Sequence, residues 1–306
     1  RGAIALRYAI KQIGDRYVFG AAGPTLWDCS GLTMRAFEQA GVSLPHSAAA
    51  QSGFGAFSNR PDLLSNTKQY ESGSQLNAVV VFGGDGTILR AAEIARGTDA
   101  PIIGINLGKV GFLAEISKPS LTEIIEAIKA ERITTEPRLT IAYKIFRKEK
   151  EIASGWALNE IVVERSESSM LELFVQIDKR PLSRWGCDAV ICSTPTGSTA
   201  YAFSAGGPVV WPQVDAMVLL PLAAHALFSD PMVVSPNSEV VIDIESERAE
   251  ISADGLRKVK LEIGDRVVVT KDPWRVNLAH IDDSVFTDRL VAKFKLPIEG
   301  WRGEGS

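Results

Sequence analysis

The sequence predicts an α/β protein: a parallel-sheet domain holding a glycine-rich loop, a second β-rich domain, and a closing helix. Three observations carry this. First, short apolar runs alternate with stretches of helical period after Asn77: NAVVVF then TILRAAEIARG, PIIGIN then SLTEIIEAIKAE. Strand–helix–strand–helix order implies parallel strands joined by crossover helices. Second, from about Leu139 the helical period disappears. Alternating or apolar runs replace it: LTIAYKIF, ALNEIVVE, LELFVQID, DAVICS, AMVLLP, EVVIDI, VKLEI and RVVVT. Such spacing is that of a β domain. Third, SVFTDRLVAKF brings the helical period back near the end.

Element by element, RGAIALRYAIKQIG reads as an amphipathic helix ending at Gly14. DCSGLTMRAFEQAG reads as a second helix, started by Asp28 or Ser30 and stopped by Gly41. Residues 51–75 are rich in Ser, Asn, Gly and Gln without periodicity, which suggests a seam. The helix after NAVVVF closes at Gly97, and SLTEIIEAIKAE has Leu121, Ile124, Ile125 and Ile128 on its apolar face. The segments expected are 1–52, a seam at 53–76, an α/β part at 77–137, a β-rich part at 138–280, and a helix and tail at 281–306.

Composition narrows the function classes. The 306 residues suffice for two domains with real cores, and the net charge of −4 argues against nucleic acid or an anionic membrane as the main partner. Cys29, Cys187 and Cys192 make an odd set in a long chain, so a cytoplasmic location fits better than a disulfide framework. No apolar run approaches the roughly 20 residues of a membrane span. The chain opens with Arg1, without the order of a signal peptide, and its numbering is expected to start inside a longer product.

The first chemical signal is VVFGGDGTILR, from Val80 to Arg90. Asp-Gly between apolar runs is a hairpin signal. Here, however, TILRAAEIA follows with helical rather than strand period. A strand leading through glycines into a helix N-terminus suits a phosphate, because free N–H groups and the helix dipole face the anion. No Lys follows, so this is not a Walker loop, and the dinucleotide fingerprint G-x-G-x-x-G is absent. Asp85 would repel a phosphate, so it must do something else. It could hold a magnesium ion or take a proton from an attacking hydroxyl. The second signal is STPTGSTAYAFSAGGP, Ser193 to Pro208, where small residues would let backbone approach a flat ligand, with Thr199, Tyr201 and Ser204 free to bond or stack. A plain Gly/Ser loop has the same composition. Asn159-Glu160 and Asp188 lie in apolar settings, although charges at strand ends are usually solvated or paired. With Asp85 they make a set of acids and an amide suited to ribose hydroxyls and amide groups.

VVFGGDGTILRAAEIA, INLGKVGFLAE, ALNEIVVE, CDAVICSTPTGSTAYAFSAGGP and FTDRLVAKFKLPIEGWRG occur in the order found in NAD kinases. Over residues 77–303 the chain resembles that family, most closely its actinobacterial branch. The resemblance implies transfer of a phosphoryl group from ATP or polyphosphate, with Mg2+ or another divalent metal, to the 2′-hydroxyl of the adenosine ribose of NAD, giving NADP. It implies that Asp85 activates that hydroxyl and that Gly83, Gly84, Gly86 and Thr87 cradle phosphates. Arg90 would reach the dinucleotide phosphates, and Asn159 and Glu160 would hold ribose and base. Asp188 would contact the other bound portion of NAD. Thr199, Ala200, Tyr201 and Ser204 would line its adenine and nicotinamide pockets. No protein metal ligand is implied. The family pattern further implies a cytoplasmic homo-oligomer, dimer or tetramer, and a C-terminal helix returning to the first domain. Two departures stand out: Asp230-Pro231 replaces the family's usual Arg-Pro, and nothing matching the family's first strand and helix is legible before Asn77.

Residues 4–52 resemble instead the first half of an NlpC-type cell-wall cysteine peptidase, with Cys29 of DCSGL in the nucleophile's place. A Cys at a helix N-terminus has a lowered pKa, but an unpaired Cys is as readily a buried small residue. The general-base His of that family belongs to a missing second half. His46 matches a non-catalytic loop, and His225 and His280 fall in the kinase-like part. The fragment is therefore expected to be non-catalytic.

Overall fold

The computed structural model describes residues 8–9, 11–12, 15–18, 20–39, 41–44, 46, 78–106, 111–114, 121–130, 132–166, 170–281 and 285–298. The chain forms two compact units, residues 1–74 and 75–306. Most of the expected first helix, the whole 53–76 seam, the Cys29 side chain, residues 107–110 and the expected tail beyond 298 lie outside the described residues.

In the first unit two short strands, β1 (Arg16–Tyr17) and β2 (Leu26–Trp27), pair in parallel and lead into helix α1 (Cys29–Gln39). Of the two capping candidates Asp28 fills the role. Its carboxylate accepts the Gly31 N–H at 2.5 Å, the Ser30 hydroxyl at 2.9 Å and the Gly20 N–H at 2.8 Å. His46 Nε2 completes the ring at 3.1 Å.

In the second unit β3 (Val79–Phe82), helix α2 (Asp85–Ala95), β4 (Ile102–Ile105) and helix α3 (Leu121–Lys129) form the expected alternation, with β3 and β4 parallel. Side-chain alternation in β4 sends Ile102 toward α2, where Ile88, Ala91, Ala92 and Ala95 pack, and Ile103 and Ile105 toward Ile124 of α3. The Leu121 and Ile125 side chains are outside the described residues.

β5 (Thr134–Arg147) and, near the end of the chain, β16 (Arg266–His280) are the long members of the largest sheet. β16 pairs in parallel with β4 at Leu278 and Ala279 and antiparallel with β5 along its length. β5 runs through the expected division at 137/138. β6 (Lys150–Ala157), β8 (Leu171–Ile177), β9 (Arg180–Cys187) and β13 (Val240–Ile244) complete that eight-stranded sheet. A second, six-stranded antiparallel sheet has the order β12-β11-β10-β7-β14-β15, built from β7 (Glu160–Arg165), β10 (Ala189–Ser193), β11 (Met217–Leu222), β12 (Met232–Val234), β14 (Ala249–Ala253) and β15 (Arg257–Leu261). The main core lies between the sheets, joining Ile141, Ile145, Leu173, Val175 and Val267 of one to Ile161, Val163, Cys192, Leu219 and Ile251 of the other.

Helix α4 (Tyr201–Ser204) lies within the second glycine-rich stretch, and helix α5 (Phe286–Phe294) comes last. α5 does return to the first domain: Phe286 and Phe294 both lie 5.8 Å from Phe112, which follows β4. Arg289, buried, sits on His280 with guanidinium–ring contacts of 3.2 and 2.9 Å.

Candidate functional site

β3 ends at Phe82, and two glycines later Asp85 is the first residue of α2, with Gly84 in extended backbone at the N-cap. The carboxylate therefore stands where the helix leaves free N–H groups. It is held from across the loop: the Phe112 N–H donates to Oδ2 at 2.9 Å and the Leu113 N–H to Oδ1 at 3.1 Å. Gly111 makes this possible, since a Cβ there would fall 2.1 Å from Oδ1. A Cβ at Gly83 would meet Thr87 Oγ1 at 2.4 Å, whereas Gly84 and Gly86 open onto free space. Arg90, one turn along α2, is exposed.

The second cluster is the turn at residues 158–160 between β6 and β7. All six of its backbone polar groups are bonded. The Leu158, Asn159 and Glu160 N–H groups donate to the Asp254 carboxylate at 2.9, 2.7 and 3.3 Å. The Leu158 carbonyl accepts from Thr194 Oγ1 at 2.5 Å, the Asn159 carbonyl from the Thr194 N–H at 2.8 Å, and the Glu160 carbonyl from the Asp254 N–H at 3.0 Å. STPTG thus closes directly over ALNE. Gly197 has to be glycine, because its Cβ would lie 2.1 Å from the Asn159 carbonyl oxygen. What remains is the side chains. Glu160 is buried, its Oε2 has no hydrogen-bond partner among the described residues, and the Tyr201 N–H serves the same carboxyl group. Burial, then the charge of Asp254, pushes that carboxyl up to about 8, against the opposing Tyr201 bond.

Beyond the 3-10 turn Gly197–Thr199, Thr199 and Ala200 are half-buried, while Tyr201 and Ser204 of α4 are exposed. The Tyr201 phenol is held above its ordinary value by burial and then by Glu164, Asp188 and Glu160, so it stands among acids. Asp188 does not sit beside Asn159-Glu160. It precedes β10, whose other end, Ser193, pairs with Glu160, a separation of about 17 Å along the strand. Its carboxylate meets Arg165 at 3.2 Å.

Several contributors escaped the sequence reading. Arg138, 1% exposed, reaches Thr196 Oγ1 at 3.5 Å and pairs with Glu136 at 2.6 Å. Burial lowers its pKa and Asp85 is among the charges that oppose this, which sets it near the first cluster. Asp254 lay hidden in an Asp-Gly pair that reads as an ordinary hairpin turn. Among the described residues no group of three or more His, Cys, Asp or Glu side chains could hold a metal ion, and no helix is long and apolar enough to cross a membrane.

Asp85 is thus a carboxylate fixed at a helix start in an α/β layer, and the loops of the β domain close on one another around residues 158–160. Known proteins share this sequence and fold. The model of the ATP-NAD kinase N-terminal domain matches residues 28–133, and that of the C-terminal domain matches 158–281. An NAD kinase from Thermobifida fusca is 47% identical over 235 residues, 74% of this chain and 72% of that protein. Two solved structures are similar. Yeast NADH kinase complexed with NADH has a TM-score of 0.69 at 25% identity, covering 75% of this chain and 69% of that one. An NAD kinase from Archaeoglobus fulgidus in complex with ATP has a TM-score of 0.59 at 30% identity, covering 72% and 83%. This chain belongs to the NAD kinase family. The expected peptidase graft at residues 4–52 finds no support, because the kinase N-terminal model already begins at residue 28 and runs across the 53–76 seam. The reading that nothing of the family precedes Asn77 is corrected by the same match.

Proposed function

We propose that the chain phosphorylates the 2′-hydroxyl of the adenosine ribose of NAD, giving NADP, with ATP or polyphosphate as donor and Asp85 as the base. As the ribose oxygen bonds to the terminal phosphorus, the bond to the leaving phosphate breaks, and the hydroxyl proton passes to the Asp85 carboxylate. Gly83, Gly84, Gly86 and Thr87 offer the donor's phosphates a helix N-terminus with open backbone. Arg90 supplies a cation one turn on. Asn159 and Glu160 take the ribose and base, Thr199, Ala200, Tyr201 and Ser204 line the ring pockets, and Asp188 contacts the remaining portion of NAD. The observation that carries this reading is the placement of Asp85: one carboxylate, held by two backbone amides, beside glycines that leave room for a ligand.

Magnesium or another divalent ion has no cage of protein carboxylates among the described residues. It belongs to this reading as the counter-ion of the donor's phosphates, where it neutralises charge. A dimer or tetramer remains the proposed assembly, in the cytoplasm. The deciding experiment incubates the chain with NAD, ATP and magnesium and measures NADP beside an Asp85→Asn variant. A positioned base contributes roughly 10²–10⁴-fold, so kcat should fall by that factor. An inactive parent protein overturns the kinase reading, and a fully active variant overturns the role of Asp85.

A further inference from the structure

An Asp-Gly pair at the tip of a hairpin ordinarily places its carboxylate in water. Asp254 and Gly255 form such a tip, with φ of 52° and 65° and a Leu256 N–H to Ala253 carbonyl bond of 3.0 Å closing the turn between β14 and β15. Yet the Asp254 side chain is only 1% exposed. Burying a carboxylate is costly unless its lone pairs are satisfied. Here they are, by the three consecutive amides of Leu158, Asn159 and Glu160 and by Arg257 Nη2 at 3.0 Å. Arg257 has three further attachments. It donates to the Trp156 carbonyl at 2.7 Å, its guanidinium lies 4.8 Å from the Trp156 ring centre, and it ion-pairs with Glu93. Glu93 is on α2, the helix whose first residue is Asp85.

We propose that Asp254 is a positioning residue for the dinucleotide, locked by Arg257: it fixes the peptide planes from which the Asn159 and Glu160 side chains project, and ties them to the helix that starts with Asp85. The inference rests on Asn159 and Glu160 being the NAD-holding pair. Asparagine at 254 keeps the size of the side chain but turns an N–H2 toward amides that need an acceptor. The donor's phosphates are assigned above to the glycines at the start of α2 rather than to this turn, so the two substrates should separate.

The test measures kcat and the KM for NAD and for ATP in Asp254→Asn, with NAD affinity determined by calorimetry in the absence of ATP. Thermal melts accompany both assays. The expected result is a rise of about tenfold or more in KM and Kd for NAD, with KM for ATP within about twofold of the parent. Unchanged NAD affinity in a folded variant overturns the proposal, as does an equal loss for both substrates. If Asp254→Asn does not fold, Arg257→Gln leaves the three amide bonds in place. A several-fold rise in KM and Kd for NAD at constant KM for ATP then supports the lock, and parental NAD affinity overturns it. The calorimetry separates the two readings: a parent that binds NAD but makes no NADP sinks the kinase reading and leaves Asp254 testable by Kd.

Discussion

Asp85 sees a single-residue gap. Its two carboxylate oxygens approach residues 111–113 so closely that only glycine fits at 111, where a Cβ would fall 2.1 Å from Oδ1. Alanine would force the carboxylate, the more movable partner, off its two amides. A displacement of about 1 Å at a reacting group costs roughly 10²-fold. Gly111→Ala should therefore lower kcat by about 10–100-fold with KM for NAD within about twofold. In an Asp85→Asn background the same change should add little, because one misplaced group cannot be lost twice. A full additional loss in the double variant would show that Gly111 acts through something else. At this scale Asp85 was legible, since a carboxylate among glycines before a helix is a local pattern. Its amide partners were not, as they lie 27 and 28 residues downstream.

Among elements, α5 shows how a terminal helix supports a segment far from it in sequence. Phe294 lies 4.7 Å from Phe203 of α4 and 5.8 Å from Phe112, and Phe286 lies 5.0 Å from Trp211. α4 is a single turn and cannot hold itself, so the rings of α5 supply its support. Phe294→Ala should cost roughly 1–3 kcal/mol in denaturant melts, from lost apolar burial and ring contact. It should also raise KM for NAD more than KM for ATP, because Tyr201 and Ser204, proposed to line the ring pockets, ride on α4. An equal change in both constants would refute the support role. The β3–α2–β4–α3 run was readable because its periodicity changes at each boundary. In the second unit β6, β9, β12 and β14 were missed: KEIASGWA, RPLSRWGC and AEISA alternate weakly, MVV spans three residues, and their strand state is set by partners such as β5, β8, β11 and β7. The site turn at 158–160 shares this property, being assembled from residues near 158, 194 and 254 that only sheet pairing brings together.

For the whole second unit, the half-buried Glu136 and the buried Glu160 push the pH dependence of stability in opposite directions. Burial would raise the Glu136 carboxyl, but the hydrogen bond with His280 and the Arg138 charge outweigh it and hold the group down to about 2. Between pH 2 and its ordinary 4.5 the unfolded chain takes up a proton that the folded chain refuses, so stability rises with pH across that window. Asp215 and Asp265, both held low, add to the same acid limb. Glu160 is the reverse case, raised to about 8 by burial and then by Asp254. From pH 4.5 to 8 the unfolded chain releases a proton that the folded chain keeps, so stability falls as pH rises, by up to about 1.4 kcal/mol per pH unit. The melting temperature should therefore climb from pH 2 toward 4.5 and decline toward 8. Glu160→Gln, neutral at every pH, should flatten the alkaline decline while leaving the acid limb in place. Glu136→Gln should weaken the acid limb and lower the melting temperature at neutral pH, because Arg138 would keep a buried charge without its 2.6 Å partner. Melts of the parent and both variants at pH 3, 5 and 8 decide this. A Glu160→Gln protein that declines as steeply as the parent would mean that Glu160 is already ionised in the folded chain.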